Sequence, residues 1–266
     1  MKLKKLKPIT NGTRHQVNLQ KSLLSKRNDF VKNSIKGLKS SGGRSSQTGR
    51  TTVWHKGGGN KSKFREINFS SEYYNAVVVT VMYDSKRSAF ISLNFDLDRK
   101  TFFRTITTNF VFTGARVVCD SNPIDLFLGS RTILDNIPTG SIVHSLSTKS
   151  NTNTIYARSA GSFCQLIQKG SNVCKLRLPS GKIIEVSSGA FATIGSVANF
   201  QHNQVILGKA GRNRHKGVRP TVRGVAMNPV DHPHGGRTNG GRPSVTPWGI
   251  PTKGKPTVRK NKKNYV

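Results

Sequence analysis

Residues 205–266 contain ten Gly and seven Pro but a single Leu, Leu207, and they carry fourteen Lys or Arg against one acid, Asp231. A stretch of that composition cannot bury enough apolar surface to offset the entropy of ordering its backbone. It is expected to be disordered in the free chain and to become ordered on a partner that supplies the contacts. Fourteen cations against one anion make that partner a polyanion.

The rest of the 266 residues repeat the message. Residues 1–65 hold seventeen Lys or Arg and one acid, Asp29, whereas residues 66–204 hold thirteen cations and nine acids. Two basic arms therefore flank a nearly balanced centre, within a formal charge of +33. Blocks of one sign interleaved with Gly and Pro read as nucleic-acid-binding tails. No apolar run approaches the ~20 residues of a membrane span, and Met1–Asn11 lacks the apolar segment of a secretory signal. Cys119, Cys164 and Cys174 are too scattered for a disulfide framework or a zinc ribbon. Cys164 and Cys174 fall in strand-like apolar runs and are expected as small core residues.

The centre reads as short strands separated by turns. Ala89, Ile91, Leu93 and Phe95 alternate with Ser88, Ser92 and Asn94, the period of a half-buried strand. A Val-rich run, Asn75–Tyr83, precedes it. Cys174, Leu176 and Leu178 face in while Lys175 and Arg177 face out, and Pro179–Lys182 turns the chain into Ile183–Val186. Further strands are expected at 101–106, 114–119, 142–146, 162–167 and 192–197. Helical periodicity is confined to Gln20–Lys39. Strands at roughly ten-residue spacing predict all-β barrels, with a boundary near Asn122–Asn136, where Pro123 and polar residues interrupt the pattern.

Ordered motifs over nearly the whole length carry a resemblance. They are Lys5–His15, Gly49-Arg50, His55–Lys61, Tyr83–Ala89, Asn136–Gly140, Ala157–Gly161, Leu176–Gly181, Gly208–Gly236 and Val245–Gly249. The chain resembles the universal large-subunit ribosomal protein L-two family in its bacterial form. That resemblance implies a basic N-terminal extension over 1–61, an OB-fold barrel over 62–130, an SH3-like barrel over 131–204 and a basic C-terminal extension over 205–266 threading into rRNA. It implies large-subunit rRNA near the peptidyl transferase centre as partner, with neighbouring ribosomal proteins and the small subunit across an intersubunit contact. It also implies roles in assembly, tRNA positioning and subunit association, and no cofactor beyond structural Mg2+ held by the rRNA. Asn60 stands where the family has histidine and His215 where it has tryptophan, and the loop after His234 is shortened to Gly235-Gly236-Arg237. Asn-, Phe-, Lys- and Ser-rich substitutions fit an AT-rich genome and favour a mitochondrial ribosome, with a bacterial cytoplasm or a plastid as alternatives.

Residue chemistry supplies candidates for the RNA contacts. In Lys56-Gly57-Gly58-Gly59, backbone N–H groups can approach phosphate without a Cβ in the way, with Lys56, Lys61 and Lys63 for charge. Arg87 and Arg158 suit bidentate phosphate or guanine contacts. Trp54, Trp248 and His215 suit base stacking. Arg50, His55, Lys209, Arg212, Arg214, Arg219, Arg223, Asn228, Arg237 and Arg242 are further RNA-binding positions on the resemblance. Asp231-His232-Pro233-His234 admits three readings: a metal site, an acid/base pair, or RNA contact through the imidazoles of His232 and His234. The third is the expectation, because zinc draws its ligands from well-separated positions and no nucleophile, metal cage or carboxylate pair accompanies the histidines. The alternative to a ribosomal role is a general nucleic-acid-binding protein.

Overall fold

The computed structural model describes residues 3–22, 24–25, 35–38, 42–70, 72–122, 125–150, 152–236 and 242–254. They fall into two bodies, one made of residues 1–39 and 60–212 and the other of residues 40–59 and 213–266.

The first body is almost entirely β. Leu3–Lys5 (β1) pairs antiparallel with Val17–Leu19 (β2), and Ile35–Leu38 (β3) with Ser62–Arg65 (β4). The helical periodicity of Gln20–Lys39 is thus overturned at its end, where β3 pairs residue by residue with β4. Val17 also bridges Ile206, and Arg212 Nη1 donates to Asn18 Oδ1 at 3.0 Å, so residues from both ends of the chain share one ribbon.

Ten further strands form one sheet. Tyr74–Met82 (β5), Ile91–Asp96 (β6) and Phe102–Ile106 (β7) make an antiparallel meander, and Arg116–Cys119 (β8) pairs on the other side of β5. Arg131–Ile133 (β9) joins β8 in parallel at Cys119 and Arg131. Ile142–His144 (β10), Cys164–Lys169 (β11), Val173–Arg177 (β12) and Ile183–Ser187 (β13) form a second meander, which Phe191–Ile194 (β14) connects to β9. Register shifts at 78/80 in β5 and 166/168 in β11 add the local bend that a closing sheet needs. Strands β5–β8 belong to an OB-fold barrel and β9–β14 to an SH3-like barrel.

Each barrel buries its own core. The strands of the first bury two clusters, Ala76, Val78, Phe90 and Val117 in one and Ile91 and Leu93 in the other, and Leu134, Val143, Cys164, Leu166, Cys174 and Leu176 fill the second barrel. β12 and β13 keep the expected alternation, with Cys174, Leu176, Ile184 and Val186 inward. β6 does not: Ser92 and Asn94 are buried along with the apolar set, and each hydrogen-bonds the Thr105 hydroxyl across the strand pair, at 2.9 and 2.8 Å. A polar face can be buried when the neighbouring strand satisfies it. β9 lies inside the segment taken as a boundary, and its buried Arg131 and Thr132, after buried Ser130, leave no apolar alternation to read.

Between the barrels, His144 is enclosed. Its Nε2 lies 2.8 Å from Thr108 Oγ1 and its Nδ1 2.9 Å from Ser145 Oγ. Burial, helped by the Arg131 guanidinium, pushes its pKa down to about 3, so the ring is neutral at every physiological pH.

Candidate nucleic-acid interface

The second body has fifteen Lys or Arg in its sequence and Asp231 as its sole acid, and backbone hydrogen bonds tie its described residues together. Two short crossings organise residues 43–59. Thr52 and Val53 N–H both donate to Gly43 O, and Arg44 bridges Thr51, so Arg50 is displayed on a turn. Lys56 then bridges Val218, flanked by Gly57 N–H to Gly217 O at 3.0 Å and Arg219 N–H to His55 O at 2.9 Å. A Cβ on Gly59 would stand 2.7 Å from Gly217 N, at a φ of +82° that side chains avoid. The glycine run therefore serves chain crossing first. Gly57 spends its N–H on Gly217, contrary to the expectation that it would cradle phosphate, while Lys56 and the open Gly58 remain exposed.

Residues 223–236 wind around His232. Arg223 and Gly224 open a turn, Asp231 and His232 N–H donate to Asn228 O, and Gly235 N–H donates back to His232 O at 2.8 Å. The imidazole is only 8% exposed and packs on Gly224, and its Nδ1 accepts the His234 N–H at 3.0 Å. That bond places the proton of the neutral ring on Nε2. His232 thus fixes the fold of this loop, with its Nδ1 taken by the His234 N–H. A Cβ on Gly235 would fall 2.2 Å from the Asn228 carbonyl oxygen. His234, 4.6 Å from His232 between ring centroids, sits with Nε2 2.7 Å from Pro243 O, and Arg242 Nη1 donates to Pro233 O and Gly235 O. These side chains hold the loop closed from inside.

Beyond it, Val245 bridges Pro251 and Thr246 N–H donates to Ile250 O, making a hairpin with Trp248 at its tip. Trp248 is 68% exposed, and Trp54, 59% exposed, lies against it with ring centroids 5.6 Å apart and planes at 55°. Two adjacent, exposed indoles in a cationic body have the flat apolar faces on which base stacking depends.

In the first body, Arg87 and Arg158 converge on one ring. Their guanidinium carbons stand 5.9 and 5.3 Å from the centroid of Phe69. Arg87 Nε also donates to the fully buried Asp84 at 2.8 Å, with Arg65 3.8 Å from the same carboxylate. Arg158 is exposed on a loop tied by Ala160 N–H to Ser88 Oγ.

Two successive stretches of the chain match one family. Residues 31–119 match Ribosomal Proteins L2, RNA binding N-terminal domain, and residues 128–249 match Ribosomal Proteins L2, C-terminal domain. The chain belongs to the ribosomal protein L2 family. It is 45% identical over 272 residues to the large ribosomal subunit protein uL2m of Reclinomonas americana, covering 100% of this chain and 97% of that one. To the large ribosomal subunit protein uL2 of Wolbachia sp. subsp. Brugia malayi it is 44% identical over 266 residues, covering 98% and 96%, and to that of Rickettsia felis 43% over 268 residues, covering 99% and 96%.

For a member of the L2 family the remaining candidates sort by environment. Arg50, His55, Arg214, Arg219, Arg223 and Asn228 are exposed in the second body. Lys61 and Lys209 are exposed in the first, and Arg212 there is committed to Asn18 and the Leu207 carbonyl. Arg237 lies outside the described residues. Among the described residues no group of three His, Cys, Asp or Glu is placed to hold a metal ion. Sequence reasoning missed Phe69, a lone aromatic between polar residues, and Asp84. The acid three residues before Arg87 was the available signal, whereas Arg65 reaches it only through the fold.

Proposed function

We propose that this L2 chain is a structural constituent of the large subunit of a mitochondrial ribosome, binding large-subunit rRNA near the peptidyl transferase centre and supporting assembly, tRNA positioning and subunit association. The observation that carries the reading is the second body. It is a cationic chain knotted by backbone hydrogen bonds around His232, and it presents exposed arginines with the paired rings of Trp54 and Trp248. Cations supply sequence-independent attraction to phosphate, and the indoles supply stacking to unpaired bases. The 45% identity to uL2m favours the mitochondrion over a bacterial cytoplasm. Chemistry in such a particle belongs to the RNA, with Mg2+ held by rRNA and His232 shaping a loop.

Competition binding tests this against a general nucleic-acid-binding protein. The purified full chain should prefer large-subunit rRNA to a shuffled RNA of equal length by tenfold or more, the specificity ratio being the informative quantity. Equal affinity would favour the general binder.

A further inference from the structure

One surface of the first body is unlike the rest of the molecule. A groove of about 320 Å³ opens between residues 107–113 and 198–201, floored by Val81 and Phe90, and none of the fourteen described residues lining it is charged. Around it stand Phe110, 79% exposed, Phe112, 70% exposed, and Phe200, 52% exposed. From Thr105 to Ala115 and from Gly195 to Gly208 no Lys, Arg, Asp or Glu occurs, in a chain holding 44 Lys and Arg. The groove is preformed: Thr107 N–H donates to Phe90 O, Ala198 N–H to Thr107 O at 2.9 Å, and Asn109 N–H to Ser196 O at 2.7 Å. Phe110 is held at a φ of +65°, a left-handed conformation that costs a bulky residue free energy and keeps its ring out of the core.

We propose that this groove is a protein-docking site, which receives uncharged apolar side chains from another protein of the large subunit. The proposal rests on the ribosomal reading only for the particle in which the partner is sought. Charge decides between partners. An RNA strand brings about one anion per nucleotide and is met elsewhere on this chain by Lys and Arg, whereas none of the described residues lining this groove is a cation. An apolar protein segment has no such requirement, and burying Phe110, Phe112 and Phe200 removes three rings from water. A small apolar molecule would fill the floor and leave Phe110 and Phe112 exposed. Only a chain lying across the groove covers floor and rim together, the arrangement of a hot spot with its surrounding seal.

The test places the photoreactive residue p-benzoylphenylalanine at position 112 of the full chain, assembled into large subunits that are then purified and irradiated. The expected product is one adduct, on an apolar residue of a single other ribosomal protein, at a yield well above the same probe at Ile183, an exposed position on β13. An adduct on rRNA, on a second copy of this chain, or no yield above the Ile183 control would overturn the proposal. In parallel, Phe112→Ser with Phe200→Ser should lower occupancy of the crosslinked protein by about tenfold, the scale of hot-spot truncation, with this chain and rRNA remaining at full occupancy. Unchanged partner occupancy would count against docking. Loss of the chain itself from the particle would assign the face to rRNA instead and leave the rRNA-binding reading standing.

Discussion

The Nε2 of His144 on β10 and the hydroxyl of Thr108, just beyond β7, lie 2.8 Å apart with both side chains buried, so one hydrogen bond joins an element of each barrel. Burial holds the His144 pKa at about 3, against an ordinary 6.5. The unfolded chain therefore binds a proton that the folded chain refuses. The stability tied to the neutral ring is fully present above about pH 6.5 and is lost as pH falls towards 3. The purified protein should melt at progressively lower temperature from pH 7 to pH 5, and His144→Gln should flatten that slope while lowering the midpoint at pH 7. A variant with an unchanged slope would show that other groups set the acid sensitivity.

Replacing His232 with Gln separates scaffold from chemistry. Glutamine can still accept the His234 N–H, the bond that imidazole Nδ1 accepts now. Assembled ribosomes carrying His232→Gln should transfer peptide within a few-fold of the normal rate, measured in a single turnover and normalised to occupancy of this protein. A positioned acid or base typically contributes about 10² to 10⁴, so a hundredfold slowing at full occupancy would restore a catalytic role.

Gly235→Val should be worse than His232→Gln. Its Cβ would meet the Asn228 carbonyl at 2.2 Å, and the carbonyl belongs to backbone that also receives the Asp231 and His232 N–H groups. Incorporation into subunits, followed by quantitative mass spectrometry of gradient-purified particles, should fall several-fold. Normal incorporation would mean that this loop tolerates an opened turn.

Binding of the free chain to large-subunit rRNA should be steeply salt-dependent. If about ten phosphates are neutralised, affinity falls by roughly 10³ to 10⁵ between 50 and 200 mM monovalent salt. A nearly flat response in filter binding would remove the exposed arginines and lysines of the second body as its source.

The buried thiols give a chemical probe of folding. Desolvation pushes Cys119 up to about 12 and Cys164 up to about 11, the nearby Arg131 opposing this at Cys119 only in part. At pH 8 both are thiols, and thiols are poor nucleophiles. Iodoacetamide should leave them unmodified in the folded protein and alkylate them on unfolding, as read by mass spectrometry. Fast labelling under native conditions would show that the barrels open.

How much of this was legible beforehand depended on how local the cause was. The strands with simple alternation, β12 and β13 above all, followed from period alone. β9 escaped because Ser130, Arg131 and Thr132 are buried polar residues, and the strand's ladder partners, Cys119 in β8 and Ala192 and Thr193 in β14, lie elsewhere in the chain. β3 escaped because its apolar spacing suits a helix until β4, beginning 24 residues after the end of β3, offers a ladder. Basic and aromatic candidates could be named from composition. Their partners could not: Trp54 with Trp248, or Arg87 with Arg158 about Phe69, are separated by long stretches of sequence and meet only through the fold. His232 was conspicuous, yet its burial against Gly224 has no local signature.

The pairing of Val17 with Ile206, and of Asn18 with Arg212, orders events during synthesis. An N-terminal strand made among the first residues has to wait for nearly two hundred more before its neighbour emerges. Both barrels can close in that interval, since every one of their strands lies earlier in the chain. The ribbon is then the last part of the first body to lock, and it joins the two ends only after the whole span between them exists. Truncation just before Ile206 should therefore yield formed barrels with an untied amino-terminal arm.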